Sequence, residues 1–228
     1  MKTVGIIGGL GPNTTAEFYL EIVAGFGKRK IDCSPPVVIG SVSASWQVYD
    51  DCILKNECRF LPYLLKEATR LEKAEVDFLV MPCNTLHTHI KTIRKSVKIP
   101  VLSIVESTID YIKANGYKKI GLISTMATLE NKVYEKEFVK HKIKFISPNG
   151  LKQQQLNKVI RKLVDGLFLD SDRKIIMQAI DEMKKDGADA IALACTDLQL
   201  LLPTCDDIPI FDTMKVLADA TVDEMLKS

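Results

Sequence analysis

The chain repeats itself. "KTVGIIGG" at residues 2–9 returns as "KKIGLIST" at 118–125, pairing Gly5 with Gly121. "AEVDFLVMPCNTLH" at 74–87 returns as "DGADAIALACTDLQ" at 186–199, pairing Cys83 with Cys195. "IPVLSI" at 99–104 returns as "IPIFDT" at 208–213. The separations are 116, 112 and 109 residues, so three landmarks recur in one order at nearly constant spacing. A single echo carries little, because α/β proteins reuse strand–loop–helix patterns. Three in register predict two related halves.

Within each half, short β-branched runs alternate with amphipathic stretches. "TVGIIGG" (3–9), "PPVVIGSV" (35–42), "VDFLVMP" (76–82) and "IPVLSI" (99–104) read as strands. Helices are predicted from about Thr14, from about Pro62 and over "HTHIKTIRKSV" (87–97). This alternation predicts an α/β fold: two similar parallel-sheet α/β domains related by pseudo-twofold symmetry, with the active site in the cleft between them. The first domain is expected to span 1–100 plus 210–228 and carry Cys83. The second is expected to span 101–209 and carry Cys195. The polar stretch "SPNGLKQQQLNK" (147–158) belongs inside the second half, and the last helix, 213–227, is expected to pack back on the first.

Charge and hydropathy exclude several classes. A net charge of +2 gives no basis for nucleic-acid binding, and the basic runs at 27–30 and 117–120 read as solvated surface. No apolar stretch approaches the ~20 residues that span a bilayer. The chain is therefore expected to be cytoplasmic, with its six cysteines as thiols. Cys33, Cys52, Cys58 and Cys205 are read as packing residues.

Cys83 and Cys195 are different. Both fall at the carboxyl ends of predicted strands, where open parallel sheets bind ligands. Two like halves facing each other bring the two thiols to one cleft from opposite sides. That is the arrangement of a two-base racemisation, in which one group removes a Cα proton and the other returns one to the opposite face. Both cysteines precede predicted helices, whose N–H groups and dipoles favour a thiolate. Asn84, Thr85 and Thr196 offer donors beside them.

The turn "GGLGPNTT" (8–15) lacks the third glycine of a dinucleotide loop, and no acid ends the second strand. Gly11, Pro12 and Asn13 fit a turn whose amides approach a small carboxylate. In the matching turn, "STMATLE", Ser124, Thr125 and Thr128 either bind the other end of an anionic substrate or cap a helix. Cys83, His87 and His89 fit no zinc spacing and lack a fourth ligand, so no metal site is assigned. His87 either lies in the cleft or is a satisfied structural histidine.

"GIIGGLGPNTTAEFY", "MPCNTLH" and "ALACTDLQLL" together resemble the aspartate/glutamate racemase family, most nearly its aspartate racemase branch. The likeness covers essentially the whole chain. It implies cofactor-independent interconversion of L- and D-aspartate, with Cys83 and Cys195 as the acid/base pair, and a homodimer. It also implies substrate contacts from Asn84, Thr85, Thr125 and Thr196, while Asp197 either tunes Cys195 or meets the substrate ammonium. One departure stands out. Aspartate-specific relatives are expected to hold the distal carboxylate with a basic residue soon after the second strand, yet "SVSASWQVYDD" (41–51) has none. Lys55, Arg59, Lys158, Arg161 and Lys162 are the candidate substitutes. The alternatives are a related racemase of glutamate, another amino acid or a hydantoin, a maleate isomerase, or a non-catalytic metabolite-binding homologue.

Overall fold

The structure is a computed structural model and describes residues 1–54, 59–167, 169–201 and 207–227. The first half runs β1 (Val4–Gly8), α1 (Pro12–Lys28), β2 (Val37–Ser41), α2 (Trp46–Leu54), α3 (Leu61–Lys73) and β3 (Phe78–Val80). It continues through a 3-10 turn (Thr85–His89) and α4 (Ile90–Ser96) to β4 (Val101–Leu102). After α5 (Ile104–Ala114) come β5 (Lys119–Ser124), α6 (Met126–Glu130), α7 (Glu135–Lys140), β6 (Lys144–Ile146), α8 (Gly150–Val164), α9 (Asp170–Lys185) and β7 (Ala190–Ala194). A second 3-10 turn (Thr196–Leu201), β8 (Ile210–Asp212) and α10 (Thr213–Met225) complete the chain.

The two sheets have one plan. Their strand orders are β2-β1-β3-β4 and β6-β5-β7-β8, and every pairing is parallel. Strands covered on both faces must be apolar throughout, and β1, β3 and β7 are buried along their whole length. The repeated glycines have a packing reason. A Cβ on Gly5 would lie 2.7 Å from Leu79 Cδ2, and one on Gly121 would lie 2.5 Å from Ile191 Cδ1. In each half the central strand needs a bare backbone where its neighbour's branched side chain presses against it.

Edge pairing moves the expected domain limits. Val101–Leu102 pair with β3 and Ile210–Asp212 pair with β7. The boundaries at 100/101 and 209/210 therefore cut one strand too early, because "IPVLSI" and "IPIFDT" each close their own sheet. The helical layer between the sheets is shared. Phe18 and Ile22 of α1, Ile109 of α5 and Leu217 and Val222 of α10 join Ile6 and Leu122 in one apolar cluster. Each such buried side chain contributes about 1.5–3 kcal/mol. α10 returns to the first half through the Lys2 N–H, which donates to the Met225 carbonyl at 2.8 Å, and through Arg29 Nη2, 2.7 Å from Asp223 Oδ1.

α1 begins at Pro12, two residues before the expected Thr14. Gly11 is its N-cap at φ 111°, a left-handed conformation that glycine adopts without strain, and Pro12 occupies the first turn. The segment 41–51, expected only as the stretch after β2, forms most of α2. Cys33 is exposed, not packed, because it lies on the turn between α1 and β2. Cys52 is buried as expected, and Cys58 and Cys205 lie outside the described residues.

Candidate active site

β3 and β7 occupy the same place in their sheets; Cys195 follows β7 directly, and Cys83 comes three residues after the end of β3. Both thiols line one small cavity of about 50 Å³ between the halves. Asn84 and Thr85 come with Cys83, and Thr196 and Asp197 with Cys195. Gly11 and Thr125 also line it, and Leu10, Tyr49, Cys52, Phe60, Leu86, Ile160 and Val164 complete the lining.

Polar side chains stitch the two halves together around this cavity. Thr14 Oγ1 donates to Asp197 Oδ1 at 2.5 Å. Asn84 Nδ2 donates to Thr213 Oγ1 at 3.1 Å, and the Tyr134 hydroxyl donates to Asn84 Oδ1 at 2.5 Å. The hydroxyls of Thr85, Thr125 and Thr128 lie 2.9–3.0 Å from one another. Thr125 also caps α6, accepting from the Thr128 N–H at 3.1 Å, as the capping reading of this turn expects.

Sequence reasoning reached some of these residues and missed others. Of the expected substrate contacts, Gly11, Asn84, Thr85, Thr125, Thr196 and Asp197 line the cavity. Thr128 stands behind the wall and acts through Thr85 and Thr125. Ser124 is fully buried at the end of β5, its hydroxyl turned to the Thr125 carbonyl, and does not reach the cavity. Pro12 and Asn13 line an adjoining recess that shares Gly11, Val164 and Asp197 with the main cavity, because α1 carries them outward. Tyr49, Tyr134 and Thr213 were missed. Their signal is tertiary: Tyr134 and Thr213 reach Asn84 from 50 and 129 residues away.

Tyr134→Phe tests that clamp. It removes the donor to a buried amide oxygen, which costs about 1–3 kcal/mol. A fall in melting temperature, together with a rise in KM larger than any fall in kcat, is expected. An unchanged KM would leave Tyr134 with a purely structural role.

The electrostatics of the two cysteines differ. Cys195 is buried, and desolvation pushes its thiol well above the usual range, with the Asp197 carboxylate adding to the rise. Cys195 Sγ donates to Asp197 Oδ2 over 3.9 Å. Burial also raises Asp197, while the Thr14 hydroxyl holds it down. The expected helix-dipole support for thiolates is weak here, because both cysteines are followed by short 3-10 turns. Cys83 is half-buried. Burial beside the Asp197 carboxylate therefore favours the neutral thiol at Cys195.

His87 is the structural histidine. Its Nδ1–H donates to the Cys83 carbonyl at 2.7 Å, and its Nε2 accepts from the Ile104 N–H at 3.1 Å. Only the neutral ring satisfies both contacts, and burial pulls its pKa down to about 4. An unfolded histidine binds its proton near 6.5, so His87 costs stability as pH falls from about 6.5 to about 4. The full effect is about 3 kcal/mol. His87→Gln should flatten that part of a melting-temperature profile against pH, and an unaltered acid limb would contradict the assignment.

The described candidate basic residues do not line the cavity. Arg161 Nε is 2.8 Å from Asp50 Oδ1, and its Nη1 pairs with Asp165. Lys162 Nζ is 2.8 Å from Asp172 Oδ1. Arg59 and Lys158 are exposed, and Lys55 lies outside the described residues. Among the described residues no Lys or Arg lines the cavity, and no group of three or more His, Cys, Asp or Glu is placed to hold a metal ion.

Residues 7–221 match the Asp/Glu/hydantoin racemase family. The chain belongs to that family. It is 28% identical over 228 residues to the broad specificity amino-acid racemase RacX of Bacillus subtilis, with 98% of each chain covered. The aspartate racemase of Picrophilus torridus superposes with a TM-score of 0.80 at 24% identity, covering 100% of this chain and 96% of that one. An aspartate racemase homologue from Pyrococcus horikoshii OT3 also gives a TM-score of 0.80, at 21% identity and full coverage of both chains. At those identities the two structures speak for the fold. Among the family's racemases, this chain is an isomerase by membership. In this racemase-family chain the two parallel-sheet halves are the fold it shares with those structures.

Proposed function

We propose that the protein is a cofactor-independent amino-acid racemase in which Cys83 and Cys195 exchange the Cα proton. The observation that carries this reading is the position of the two thiols, after equivalent strands of two like halves, on one cavity whose lining includes hydrogen-bond donors. The substrate carboxylate meets the hydroxyls of Thr85, Thr125 and Thr196. The ammonium meets Asp197. Cys83, as thiolate, takes the proton and becomes a thiol. Cys195, resting as a thiol, delivers its own proton to the opposite face and becomes the thiolate. The reverse reaction starts from that second state.

Racemisation by two thiols needs a stabilised carbanion and nothing redox. Hydroxylamine and EDTA are expected to leave the rate unchanged. Aspartate is the substrate that the sequence likeness puts first, and the homodimer it implies is tested by sedimentation. The direct test is incubation of single enantiomers in D₂O, read by loss of the Cα–H signal and by chiral chromatography. Inversion with one deuterium gained per turnover supports the reading. Binding without exchange would favour a metabolite-binding protein instead.

A further inference from the structure

The polar lining of the cavity supplies what the amino-acid backbone of a substrate needs. The apolar lining forms the wall that is left for the side chain. Leu10, Tyr49 and Phe60 from the first half share it with Ile160 and Val164 from the second. The Tyr49 hydroxyl donates to the Gly9 carbonyl. Phe60 fixes that ring edge-on, with centroids 4.9 Å apart. Arg161, next in sequence to Ile160, is drawn off by Asp50 and Asp165. Asp197 already places a carboxylate in the same enclosed space.

We propose that this wall selects α-amino acids with short, uncharged, apolar side chains and rejects dicarboxylic ones. The inference rests on the racemase reading and names its substrate class. A second carboxylate brought against this wall would lose its water, find no cation among the described residues, and face Asp197 across a low-dielectric gap. An ethyl or isopropyl side chain would instead replace water on apolar carbon. The cavity's small volume favours a short chain over a long one.

The test is kcat/KM for Cα deuterium exchange across alanine, 2-aminobutyrate, valine, methionine, aspartate and glutamate. The best apolar substrate is expected to exceed aspartate by about a hundredfold, the scale on which an apolar pocket rejects a more polar analogue. A second measurement uses Val164→Arg. Val164 is half-buried at the end of α8, where a long cationic stem reaches solvent and the helix terminus favours positive charge. This variant should raise the aspartate-to-apolar ratio by about tenfold. Aspartate outrunning the apolar panel in the unaltered protein would overturn the substrate assignment alone, and its selective loss in Lys55→Ala would then name the cation. Absence of exchange with every amino acid would overturn the racemase reading, and this inference with it.

Discussion

Cys195→Ser and Cys83→Ser should each lower racemisation by at least about a thousandfold, the upper range of general acid–base contributions. A serine hydroxyl at either place neither gives nor takes a proton readily near neutral pH. The two variants should still differ. Cys83→Ser keeps the group resting as a thiol, whereas Cys195→Ser keeps the half-buried one. Each should therefore exchange deuterium into one enantiomer of the substrate faster than it inverts either, and the favoured enantiomer should be opposite in the two. Melting temperature separates chemistry from folding, since Cys195 also packs with Leu198 and Ile208 in the outer core of the second half. Racemisation above about a tenth of the original rate in either variant would remove the two-base assignment.

Asp197→Asn should have the next largest effect. The carboxylate raises Cys195 by its charge and accepts the thiol proton, so the neutral amide should let the thiol ionise at lower pH. The alkaline limb of the pH–rate profile, where the acid partner is lost, should move to lower pH. Loss of the ammonium's counter-charge should lower kcat/KM by roughly tenfold to a hundredfold as well. Thr14→Val is the companion measurement. It removes the hydroxyl that holds Asp197 in place, leaving a nearly isosteric side chain. A weaker change in the same direction is expected. An alkaline limb that stays put in Asp197→Asn would separate Asp197 from Cys195.

Gly11 joins these two predictions. A Cβ there would sit 3.1 Å from Thr14 Oγ1 and 3.2 Å from Asp197 Oδ1, at a backbone angle that disfavours any side chain. Gly11→Ala should therefore lose stability and disturb the Thr14–Asp197 bond together, read as a lowered melting temperature with reduced kcat/KM. A stable, fully active variant would show that the turn has slack.

Local pattern determined much of this protein. Buried parallel strands must be apolar end to end, so "VGIIG" and "AIALA" announced themselves, and their repetition announced two halves. Cys83 and Cys195 were legible because a strand's end is where a sheet presents a side chain to a cleft. Tertiary structure decided the rest. Whether Thr125 or Ser124 faces the cavity depends on how β5 meets α6. Whether Arg161 serves the site depends on Asp50, which lies on the other half of the molecule. The character of the side-chain wall depends on α2 and α8 meeting across the halves, which no local pattern encodes. Burial, which pushes Cys195 up and His87 down, likewise exists only once the halves have closed.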